Sequence, residues 1–137
     1  MKSEPVTTEE LDELLGFLPA LEKPGREFTR TWRVGEGSDA DTLTFPYPVY
    51  HDDVLAFFAL AGKACWSDYG YDPKRSHEML EDDEFVRNAT LQQVKSMLTY
   101  CVRGERFCDG HWEGMLKRGR ITALLRRLAT LRREMEH

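Results

Sequence analysis

Apolar positions recur every three to four residues along most of this chain, and every two residues in one stretch of its first third. Leu11, Leu14, Leu15 and Leu18 have helical spacing behind Thr7-Thr-Glu-Glu10, a capping box, so a first helix is predicted to end near Pro19. Pro24-Gly25 marks a turn. From Phe28 to Val34 the period is two, with Phe28, Arg30, Trp32 and Val34 on one face. After a polar loop from Gly35 to Asp41, Leu43, Phe45, Tyr47 and Val49 alternate with Thr44, Pro46 and Pro48. Proline cannot donate to a ladder, so this second run reads as an edge strand or an extended arm. The two runs predict an antiparallel hairpin that must pack on helices, since a lone hairpin is marginal.

The second part of the chain reads as helical. Asp52–Lys63 is apolar nearly all round and is predicted to sit at the centre of the core. An aromatic loop, Ala64–Pro73, follows, and the acidic run Glu81–Glu84 can start a short helix. Thr90 and Gln93 form a second capping box before a stripe of Leu91, Val94, Leu98 and Cys101, in a helix running to about Arg103. A short helix passes through Met115 and Leu116 to Gly119. A final one carries Ile121, Leu124, Leu125, Leu128 and Leu131 on a single face. The expected fold is mainly α (α+β): one helical domain, 1–137, with a small antiparallel β-hairpin. Its N-terminal helix and hairpin span about 7–50 and its helical core about 51–134.

Charge changes this picture in one respect. The net charge is −5. From Met115 onward the balance is +5, and the preceding residues carry −10. The basic final helix either docks on the acidic body, is a solvated face, or binds an anionic partner such as nucleic acid. The first two readings are preferred, because charge runs alone are weak signals. No apolar run approaches the ~20 residues of a membrane helix, and no signal peptide is read at the N-terminus. Three cysteines without paired spacing fit a reducing cytoplasm and a soluble protein.

Candidate chemistry gathers in Arg103-Gly-Glu-Arg-Phe-Cys-Asp-Gly-His-Trp112, between two helices. Gly104 reads as a left-handed helix terminus and Asp109 as the next helix's N-cap. His111 with Glu105 or Asp109 is a possible acid–base set for a small anionic substrate. The competing reading makes the same residues structural, with Glu105 and Arg106 in a surface ion pair. Arg103 and Arg106 offer a clamp for phosphate or carboxylate. Trp112, Trp66 and Tyr69 supply aromatic surface. Cys108 and His111, with Cys65 and Cys101, have the residue types for zinc but lack two close ligand pairs, so neither metal nor cofactor is expected. The corner, together with the Phe45–Tyr50 arm and the Trp66–Pro73 loop, resembles a family of small uncharacterised prokaryotic proteins. That resemblance implies a cytoplasmic protein and brings no catalytic residue with it. The leading expectation is a non-enzymatic binding or accessory protein, a homodimer or a partner of another protein, using the Arg103–Trp112 corner and the Trp66–Tyr71 loop. A deep pocket joining His111, Arg106 and Tyr69 would favour an enzyme instead.

Overall fold

The computed structural model describes residues 5–34 and 46–135, with only the backbone described at 33, 34, 46 and 47. The order is α1 (Thr8–Leu15), α2 (Leu18–Leu21), β1 (Thr29–Val34), β2 (Pro46–Tyr50), α3 (Asp52–Ala61), α4 (Pro73–Glu81), α5 (Asp83–Arg87) and α6 (Leu91–Arg103). A 3-10 turn (Gly104–Arg106), α7 (His111–Lys117) and α8 (Arg120–Met135) complete it. The protein is mainly helical with a small two-stranded antiparallel sheet, as the periodicity predicts.

Both capping boxes form. Thr7 and Glu10 exchange bonds at the start of α1, and Thr90 and Gln93 do so at α6. The proline-rich run pairs with β1 as an edge, Trp32 opposite Pro48 and Thr29 opposite Tyr50, with an irregular register between Thr29 and Thr31. That irregularity breaks the expected face: Phe28 is buried, Arg30 is exposed and Trp32 is 42% exposed. The predicted Gly35–Asp41 loop and the first residues of the second run lie outside the described residues.

The centre of the core differs from the expectation. Helix α3 buries Val54, Phe57, Phe58 and Ala61 but turns Leu55 outward, so it lies on one side of the core rather than in its middle. The most enclosed helix is α6, on which Val94, Met97, Leu98 and Cys101 are buried, and so are Lys95 and Thr99. Long side chains can be accommodated there because Lys95 is engaged by neighbours and Thr99 bonds back to the Lys95 carbonyl. Helix α8 packs the predicted stripe of Ile121, Leu124, Leu125 and Leu128 into the same cluster.

The acidic run both ends one helix and begins another. Asp82 closes α4 and caps α5 through the Phe85 N–H. Helix α4 itself is not among the predicted elements, although Asp72 caps it and Pro73 occupies its first turn. The basic helix docks on the acidic body. Arg120 meets Glu81 and Asp83, Arg126 meets Glu22, Arg132 meets Asp12, and Arg127 donates to the Ala89 carbonyl. With these cations taken up by their own chain, the nucleic-acid reading loses its main support. Among the described residues no helix is long and apolar enough to cross a membrane.

Candidate functional site

The Arg103–Trp112 corner is a junction, but its residues exchange the roles expected of them. Gly104 is right-handed, with φ −59° and ψ −29°, and continues α6 into the 3-10 turn. Glycine is required there by space: a Cβ would lie 2.2 Å from His111 Cδ2. The left-handed residue is Gly110, φ +89°, which is the N-cap position of α7, and a Cβ there would also meet the Trp32 ring at 2.8 Å.

Asp109 is exposed and does not cap α7. Glu105 takes over the task from five residues upstream. Its Oε2 accepts from the Gly110 N–H at 3.0 Å and its Oε1 from the Trp112 N–H at 2.8 Å. The Tyr50 hydroxyl donates to the same carboxylate, 3.0 and 3.1 Å from its two oxygens, and accepts from the Glu113 N–H at 3.2 Å. Burial, and then the negative charge of Glu105, push the Tyr50 phenol far above its usual range, so it remains a donor. The expected Glu105–Arg106 ion pair is therefore replaced by an inward-facing carboxylate beside an exposed arginine.

Aromatic packing completes the junction. Trp112 stacks on Phe58 with centroids 4.1 Å apart and planes 4° apart, and its indole N–H donates to the Val102 carbonyl at 2.9 Å. Trp32 covers Gly110 and donates to Glu113, which also pairs with Lys117 at 2.7 Å. Partial burial opposes ionisation of Glu113, but Lys117 and the Trp32 N–H outweigh it and hold the carboxyl below its usual range. Strand β1, strand β2, α3, α6 and α7 thus meet at one place. Tyr50, Trp32 and Phe58 are the partners that sequence reasoning misses, and nothing local to the corner signals them.

A family profile described as a family of unknown function, DUF6508, matches residues 6–134. The chain belongs to the DUF6508 family. No curated protein and no solved structure matches it. The DUF6508 description names no activity, so the candidate residues of this member stand on their geometry alone.

That geometry separates them. His111 is half-buried, its Nε2 sealed without a hydrogen-bond partner and its ring edge-on to Tyr100 at 5.3 Å. Tyr100 in turn meets His77 Nδ1 at 3.1 Å. Burial lowers the His111 pKa; Glu105 opposes this, and Arg118 and His77 reinforce it. Neither carboxylate is hydrogen-bonded to the His111 ring, as a general base would require. Trp66 is fully buried and cannot receive a ligand, whereas Tyr69 of the same loop is 56% exposed. Cys65 and Cys101 are buried while Cys108 is exposed, and burial pushes the Cys101 thiol up to about 12. Among the described residues no three candidate metal ligands converge.

Arg103, Arg106 and Tyr69 do come together. They line a hollow of 390 Å³ with Phe58, Ala61 and Val102 at its apolar wall. His111 does not line it. The Arg103 guanidinium lies 5.7 Å from the Tyr69 ring centroid and 5.6 Å from that of Tyr71.

Two outcomes follow from the packing of His111. Alanine at a right-handed helix-end glycine ordinarily stabilises a protein by about 0.4–1 kcal/mol. Gly104→Ala is expected instead to destabilise by roughly 1–3 kcal/mol, as overpacking does, and to be tolerated in a His111→Ala background. Urea melts check both, and a neutral or stabilising Gly104→Ala would contradict the close ring contact. The second concerns pH. His111 has a folded pKa below the ordinary 6.5, so the unfolded chain takes up more protons as pH falls through 6.5. Its contribution to stability is present above 6.5 and is lost as pH falls towards the folded pKa. The urea midpoint should therefore decline between about pH 6.5 and 5.5, above the range where carboxylates titrate. An identical decline in His111→Gln would assign the effect to another group.

Proposed function

We propose that this protein is a non-enzymatic binding or accessory protein that makes contact through the outer side of the corner. The observation that carries the reading is the hollow beside Arg103 and Arg106. Its lining contains no acid, and among the described residues neither guanidinium has an acidic partner. Both are cations left available after Glu105, His111 and Trp112 have been committed inward. The acid–base alternative loses its machinery: Glu105 accepts three donors, Asp109 is exposed, and the free nitrogen of His111 is sealed off. Phe107, 84% exposed, extends the apolar part of the contact surface beyond the hollow and suits a protein partner or a second copy.

One continuous apolar cluster supports treating the chain as a single folding unit. A prokaryotic cytoplasm is the setting this reading assumes, and three cysteines with no disulfide among the described residues support a reducing compartment.

The test is an amide NMR screen of the labelled protein against a mixture of neutral, cationic and anionic fragments. Shifts are expected to cluster on Tyr69, Val102, Arg103 and Arg106, with every fragment recovered chemically unchanged. Shifts that avoid this region, or a fragment converted to product, would overturn the proposal.

A further inference from the structure

The donors and acceptors around the hollow narrow what it can hold. Ser67 donates to the Lys63 carbonyl at 3.0 Å. Thr99 donates to the Lys95 carbonyl at 2.8 Å and accepts from the Asp68 N–H at 2.9 Å. Both hydroxyl hydrogens on the lining are therefore already committed. Asp68, the acid beside this wall, is bonded to Ser96 and to the Gly70 N–H. The side-chain donors left over are the two guanidinium groups and the Tyr69 hydroxyl. The accessible apolar side chains of the lining include Val102 and the Tyr69 ring, while Phe58 and Ala61 are buried, Phe58 held flat against Trp112.

Arg103 is prepared for one kind of contact. Its guanidinium carbon lies over both the Tyr69 and the Tyr71 rings, which limits its rotamers while leaving it without an acidic partner among the described residues. A guanidinium edge matches the two oxygens of a carboxylate or phosphate. The volume of 390 Å³ lies near the small end of the roughly 300–1,000 Å³ typical of ligand sites, enough for a single-ring compound.

We infer that the hollow binds a small organic oxyanion, its carboxylate or phosphate head on Arg103 and Arg106 and its apolar body against Val102 and the Tyr69 ring. This rests on the binding-protein reading and adds the ligand class to it.

The experiment is a set of amide NMR titrations of the intact chain with benzoate, phenyl phosphate, benzyl alcohol and inorganic phosphate. Benzoate or phenyl phosphate, or both, should shift Tyr69, Val102, Arg103 and Arg106, and their ratio tells carboxylate from phosphate preference. Benzyl alcohol, lacking the head, and inorganic phosphate, lacking the body, should each bind at least about tenfold more weakly, the loss of one good contact. Arg106→Gln, at an exposed position, and Arg103→Lys should each weaken binding of the better aryl anion by a similar factor, with Arg75→Gln on α4 as an unaffected control. Benzyl alcohol binding here as well as benzoate would overturn the oxyanion assignment and leave the binding reading standing. An unaffected Arg103→Lys together with an unaffected Arg106→Gln would also overturn it. No shift with any of the four probes, and none in the wider fragment screen, would remove both.

Discussion

A half-buried carboxylate must be hydrogen-bonded, and the way Glu105 meets that demand sets the arrangement of everything around it. Two backbone N–H groups at the start of α7 and one phenol fill its oxygens. Hydrogen bonds to a charged group contribute about 1.5–3 kcal/mol each, roughly twice a neutral one, and leaving a buried partner unmet costs comparably. The positive end of the helix adds to this. Helix α7 is short, seven residues, and would be marginal without such a cap. Tyr50 brings the sheet into the same network, since its hydroxyl both donates to Glu105 and receives the Glu113 N–H.

Space around this network is then fixed from all sides. Drawing the start of α7 back over the end of α6 brings the His111 ring onto Gly104 and leaves no room for a Cβ. The turn in between needs the positive φ of Gly110, and Trp32 closes over it. Trp112 is laid flat on Phe58, joining α3 to the corner. Of the groups that look catalytic in the sequence, Glu105 and His111 are consumed in building the junction, and Asp109 is left exposed apart from them. What the corner and the adjoining loop present outward is different chemistry: two arginines, Tyr69 and Phe107, with Cys108 and Asp109 beside them. Structure is carried by the inner side chains of the motif, and the recognition we propose falls to the outer ones.

Elements specified by local chemistry were legible in the sequence. Capping boxes, the α6 and α8 stripes and the proline-bearing edge strand each depend on residues a few positions apart, and each forms. Asp109 and Glu105 show where local reasoning fails. Both can cap α7, and the choice falls on Glu105 because Tyr50, 55 residues away, also needs a partner there. Gly104 misleads similarly: glycine at a helix end suggests a left-handed torsion, but the actual reason is a ring from the next helix. Trp66 and Tyr69 share a loop, and only packing distant in sequence decides that one joins the core cluster and the other stays out. Of the candidate site, Arg103, Arg106 and Tyr69 were readable, whereas the part of the lining contributed by α3 was not. Helix α4 was missed despite an Asp-Pro start, because after Pro73 its only apolar side chains are Met79 and Leu80, adjacent in sequence, so no helical spacing shows.

The most direct measurement is amide hydrogen exchange at Gly110 and Trp112, comparing Glu105→Gln with Asp109→Asn. Selective loss of protection at these two amides in Glu105→Gln, relative to the α6 core amides, and unchanged protection in Asp109→Asn is the expected pattern. Loss of protection in Asp109→Asn with Glu105→Gln unaffected would contradict it, and Asp109 would then be the cap.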